Sequence, residues 1–150
     1  MTPVFVVGYD GSRSAQAALV YAARRAATDA GRVLVVVVHP APPADLSQKA
    51  RQALLADHER ACRAVLDPLI ADPPPALEGV DWETVVEHGS PPRCLLRVAA
   101  REDAAAIVIG THGRGRVGSL LGSVAHDLLR DSDRPVVVIP PKAVDALLPR

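Results

Sequence analysis

The sequence predicts an α/β domain, a parallel sheet between two helical layers. Short Val-rich runs alternate along the chain with stretches whose apolar residues recur at helical spacing. Most of these runs are apolar at every position, as strands buried on both faces are. Alternation of strand and helix implies right-handed crossovers and one parallel sheet.

Taken in order, residues 4–7 form the first strand. Ser12 or Ser14 can cap a first helix reaching about Ala30, with Ala18, Leu19, Ala22, Ala23 and Ala26 on its apolar face and Gly31 as its stop. Residues 33–38 are the second strand. Ser47 opens a second helix through Leu54, Leu55, His58, Ala61, Cys62, Val65 and Leu69, ended by Ala71-Asp72-Pro73-Pro74-Pro75. His58 and Asp57 fall mid-helix and read as surface residues. The third strand, residues 82–88, alternates partly and carries more charge, which places it at a sheet edge. Pro91 and Pro92 begin a third helix with Leu95, Leu96, Val98 and Ala99 on its apolar face. Residues 106–109 are the fourth strand. A fourth helix follows Gly118, with Leu120, Leu121, Val124, Leu128 and Leu129 inward, and residues 136–139 close the sheet as the fifth strand. Residues 1–150 thus read as a single three-layer domain.

Composition narrows the function. Lys and Arg number 17, as do Asp and Glu, so no net charge recruits nucleic acid or anionic lipid. The aromatics are Phe5, Tyr9, Tyr21 and Trp82, too few for a base-stacking platform. Cys62 and Cys94 form no CxxC pair and have no His at metal spacing, so they read as free thiols. The first residues lack the features of a signal peptide, and residues 33–38 are too short to span a bilayer. The expectation is a soluble, cytoplasmic protein with no nucleic-acid or membrane partner.

Open parallel sheets bind ligands beyond the carboxyl ends of the strands, where strand order reverses. The common orders place strands 1 and 4, or 1 and 3, beside that point. Unusual residues follow strands 1 and 4: Gly8-Tyr9-Asp10-Gly11-Ser12, and Gly110-Thr111-His112-Gly113-Arg114-Gly115-Arg116-Val117-Gly118. The second stretch combines glycines for close backbone approach with a helix start suited to phosphate. Thr111, Ser119 and Ser123 add hydroxyl donors; His112, Arg114 and Arg116 add positive charge. Asp10 can accept from a ribose hydroxyl, hold a divalent ion through water, or cap the first helix. Residues 113–118 match GxGxxG, but the strand that follows ends in Pro140-Pro141 instead of the acid a dinucleotide site needs, and no GK[ST] loop is present.

On these residues the chain resembles the universal stress protein family over essentially its full length. The carriers are Val7-Gly8-Tyr9-Asp10-Gly11-Ser12, Val36-Val37-Val38-His39, Gly89-Ser90-Pro91, Gly110-Thr111-His112-Gly113, Leu120-Leu121-Gly122-Ser123-Val124-Ala125 and Arg134-Pro135-Val136-Val137-Val138-Ile139. The resemblance implies an adenine-nucleotide-hydrolase-like (Rossmann-like) fold with strand order 3-2-1-4-5. ATP-binding members carry G-x2-G-x9-G-[ST] after strand 4. Carried over, Gly110, Gly113, Gly122 and Ser123 hold phosphates and ribose, with His112 and Val124 nearby. Asp10 faces the ribose or a Mg²⁺ or Mn²⁺ ion. The exit of strand 2, Val38 to Pro40, lines the adenine slot. The resemblance also implies a homodimer paired through Val136, Val137, Val138 and Ile139.

Two departures stand out. Eight residues separate Gly113 from Gly122 where the family pattern has nine, and Pro40 offers no N–H to adenine. The first expectation is an ATP-binding stress-response protein whose nucleotide state biases dimerisation or contact with a protein partner. The departures motivate an alternative, a dimeric interaction module without nucleotide. A slow ATPase is the third: Asp10 is the one obvious carboxylate at the crevice and His112 the one candidate acid or base. No catalytic residue is assigned.

Overall fold

The computed structural model describes residues 1–111 and 121–149. Its five strands are β1 (Val4–Gly8), β2 (Arg32–His39), β3 (Asp81–His88), β4 (Ala106–Gly110) and β5 (Val136–Ile139). They form one parallel sheet in the order β3-β2-β1-β4-β5. The expected order therefore holds, with β3 at an edge. The helices are α1 (Arg13–Asp29), α2 (Gln48–Ala71), α3 (Pro91–Arg101), α4 (Ser123–Asp131) and α5 (Pro141–Leu147).

Strand periodicity divides the core into two layers. Phe5 and Val7 of β1 join Val33, Val35 and Val37 of β2 under α1, the second half of α2, and α5. Val4, Val6, Leu34 and Val36 face the other way, against Leu95 and Val98 of α3 and Ala125 and Leu128 of α4. Six buried alanines in α1 let that helix lie close to the sheet. No helix of the described residues is long and apolar enough to cross a membrane.

Four details differ from the sequence reading. Ala30, not Gly31, takes the left-handed turn that ends α1, at φ 51° and ψ 40°. Gly31 serves close approach instead: a Cβ there would lie 2.6 Å from the Pro3 carbonyl oxygen. A helix absent from the sequence reading, α5, follows β5, and Pro141 is its first residue, where a missing N–H costs nothing. Leu129 points outward at 52% exposure, since α4 turns Leu128 into the core. In α2, Leu55 and Ala61 are exposed, and the buried residues are Cys62, Leu66 and Leu69 in its second half.

Candidate functional site

The order reverses between β1 and β4, and a cavity of about 310 Å³ opens there, within the range of small-ligand pockets. Val36, Val38, Leu95 and Ile109 supply apolar walls; Gly8 and Gly110 supply bare backbone at the two strand exits. Asp10 and Ser12 bring polar atoms from the start of α1, and Gly122, Ser123 and Val124 bring the start of α4, with Thr111 bonded beside it.

The two helix starts at this cavity are finished differently. At α1, Ser12 is the N-cap, its Oγ accepting from the Ala15 N–H at 3.2 Å. Asp10 lies two residues earlier, where its Oδ1 accepts from the Ser12 N–H at 2.9 Å. Its carboxylate therefore braces the capping residue from the cavity wall. At α4 the N-cap is Gly122, which has no side chain to give, and no side-chain hydrogen bond caps the helix. The Gly122 N–H donates to the Thr111 carbonyl at 2.7 Å, tying α4 to the end of β4. Among the described residues the next amides of α4 have no side-chain acceptor at the positive end of the helix dipole, an arrangement that favours an anion.

Among the described lining residues Asp10 is the one charged side chain. A phosphate placed here would meet backbone N–H groups, with the Asp10 carboxylate also lining the cavity. That pairing is suited to a bridging divalent cation. The described residues contain no group of three His, Cys, Asp or Glu able to hold a metal by itself.

Of the residues singled out from the sequence, Asp10, Val38, Gly110, Gly122, Ser123 and Val124 come together at this cavity. Pro40 is exposed and does not line it. His112 and Gly113 lie outside the described residues, as do Arg114, Arg116 and Ser119. Thr111 is buried and its hydroxyl donates to the Ile139 carbonyl at 3.3 Å, so its proton joins the ends of β4 and β5 instead of facing a ligand. Val36 and Leu95 were missed. Val36 was legible two residues before Val38 on the same strand face; Leu95 depends on how α3 crosses the sheet.

A second cluster was missed altogether. His39 and His88 end β2 and β3 at the same register position, and His58 of α2 stacks between them. Burial, with the His58 and His88 rings beside it, lowers the His39 pKa below the ordinary 6.5. His58 is half-buried, contrary to its expected place on the surface.

A model of the universal stress protein family matches residues 1–140. The universal stress protein in QAH/OAS sulfhydrylase 3'region of Thermus aquaticus is 32% identical over 142 residues, covering 93% of this chain and 99% of that protein. Among solved structures, universal stress protein UspA from Lactobacillus plantarum is 19% identical at a TM-score of 0.71, over 91% of this chain and 96% of that one. The universal stress protein from Archaeoglobus fulgidus in complex with dAMP is 23% identical at a TM-score of 0.60, over 92% and 97%. A universal stress protein in complex with cAMP is also 23% identical at 0.60, over 91% and 96%. At these identities the structural likeness shows the fold.

Proposed function

This chain belongs to the universal stress protein family, and from that premise we propose that it is an adenine-nucleotide-binding regulator with ATP as its principal ligand. The observation that carries the reading is the start of α4, without a side-chain cap at the cavity where strand order reverses. Phosphates lie against the α4 amides, with Gly122 and Ser123 closest. The base lies toward the apolar wall of Val36 and Val38, and Asp10 faces the ribose. A Mg²⁺ or Mn²⁺ ion held through water by Asp10 offsets phosphate charge. The solved relatives with dAMP and cAMP support an adenylyl ligand. Gly110, His112 and Gly113 complete the phosphate side in this reading. Because Pro40 stands outside the cavity lining, its missing N–H removes nothing from the walls described.

The reading includes a homodimer. β5 is the edge beyond β4 and its residues Val136, Val137 and Val138 are half-buried. An edge strand presents unpaired N–H and C=O groups that can pair with another copy. Nucleotide state then biases that pairing or the contact with a protein partner.

The test is direct. Purified protein is denatured with acid and the supernatant assayed for adenine nucleotide, and the stripped protein is melted with and without ATP·Mg²⁺. Bound nucleotide and a raised Tm are expected, since ligand at about 100 times its Kd adds about 2.7 kcal/mol. An empty supernatant together with an unchanged Tm favours the interaction module without nucleotide.

A further inference from the structure

The three stacked imidazoles lie apart from the nucleotide cavity, on the sheet face that α2 covers. His39 and His88 are register partners at the ends of β2 and β3, further joined where the Gly89 N–H donates to the His39 carbonyl at 2.8 Å. The His58 ring centroid lies 5.6 Å from that of His39 and 6.1 Å from that of His88, at interplanar angles of 21° and 30°. These are aromatic contact distances. His39 Nε2 and His58 Nδ1 are buried without a hydrogen-bond partner.

The position of His58 gives the stack its consequence. Every buried residue of α2 lies at or beyond Cys62. Before that point the half-buried residues are Arg51, Leu54 and His58, and of these three it is His58 whose ring stacks on both strand ends.

We propose that the His39–His58–His88 stack is an acid-operated latch, which holds the first half of α2 against the ends of β2 and β3 when neutral and releases it when protonated. Two imidazolium rings at these distances repel, and little nearby offsets them. On α2, Asp57 and Glu59 are paired with Arg60 and Arg63, Lys49 adds positive charge, and Arg51 donates to the Pro43 carbonyl. The Cys62 thiol, one turn beyond His58, is pushed up by burial and by Glu59, so it stays neutral in acid. On β3, Glu87 turns to the opposite face, to Arg97 and Arg101. Asp45 stands in the β2–α2 connection. None of these makes a hydrogen bond or ion pair with a ring among the described residues. Histidine as a residue type changes charge between about pH 5 and 8, which sets the range for the test.

Hydrogen exchange at pH 7.5 and 5.5, corrected for intrinsic rate, tests this without nucleotide. At pH 5.5 amides in residues 50–61 are expected to lose protection about tenfold or more, while those in 62–71 keep theirs. His58→Phe, which retains a ring but no titrating group, is expected to keep the first half protected at both pH values. His58→Gln, which loses the ring as well, is expected to show the same low protection at both. Equal protection at the two pH values in the wild type, or an undiminished acid step in both variants, overturns the proposal.

Discussion

Gly110 and Ser14 touch so closely that no side chain fits between them. A Cβ on Gly110 would lie 1.9 Å from the Ser14 Oγ and 2.9 Å from the Ser14 backbone carbonyl carbon. The glycine at the end of β4 thus has a packing reason as well as a place at the cavity: it lets the first turn of α1 settle on the strand exit beside Asp10. Gly110→Ala is expected to destabilise the fold by about 1–3 kcal/mol, the usual cost of overpacking. Adding Ser14→Gly removes the Oγ clash but not the backbone one. The double variant is therefore expected to recover part of the loss, a coupling that denaturant unfolding of the four-member cycle measures.

Ala30 offers the opposite kind of change. It sits at φ 51°, where an L-residue with a Cβ is strained, and its N–H donates to the Ala26 carbonyl to finish α1. Ala30→Gly relieves the strain at a smaller cost in unfolded-chain entropy. The expected gain is about 1 kcal/mol by urea unfolding. Gly31→Ala, one residue on, is expected to destabilise because its Cβ would meet the Pro3 carbonyl oxygen.

Glu87 and His39 set two acid limbs on the stability curve. Arg97, donating to Glu87 at 2.9 Å with Arg101 at 3.3 Å, holds this carboxyl below its ordinary 4.5. Its contribution is full above pH 4.5 and is lost as pH falls through the lower folded value. For His39, buried beside two other imidazoles, the neutral form is the favoured one. Stability is complete above 6.5 and declines as pH drops below it, because the unfolded chain takes up the proton first. Glu87→Gln is expected to flatten the lower limb and leave the upper one, read from thermal unfolding between pH 3 and 8.

The free edge of β5 can be blocked without touching its ladder. The Ile107 N–H donates to the Pro135 carbonyl, and Ile107 is the register partner of Val136. In a parallel ladder the N–H groups of Val136 and Val138 then point away from β4. Val138→Pro removes an outward donor, which an edge strand tolerates. Sedimentation is expected to show a dimer in the wild type and a monomer in the variant, with the far-ultraviolet circular dichroism unchanged.

The inner strands were legible because they are apolar runs rich in Val and Ile whose burial on both faces needs no knowledge of neighbours, and β3 because its alternation and charge suit an edge. Asp10 and Gly122 were legible as well, since strand-exit chemistry is local. What escaped depends on approach between distant segments. Gly31 reads as a helix stop until Pro3 is seen beside it, and the residues after Pro140-Pro141 suggest no element until Val144 and Leu148 are seen buried. The histidine stack needs the order and register of β2 and β3 together with the path of α2. His39 and His88 at the ends of two strands are its one trace in the sequence.

Calorimetric titration of ATP·Mg²⁺ into the stripped wild type and Gly122→Asp tests the central claim most directly. Gly122 has φ −67°, a backbone conformation open to any residue, and Asp is at least as good an N-cap as Gly. Because Gly122 is buried, the fold of the variant is checked first by circular dichroism and Tm; folded, it sets a carboxylate where phosphate lies. Micromolar binding by the wild type and a loss of tenfold or more in the variant, about 1.4 kcal/mol, is the predicted result. No binding heat in the wild type at millimolar ATP, or equal affinity in the two proteins, would contradict a phosphate site at the start of α4.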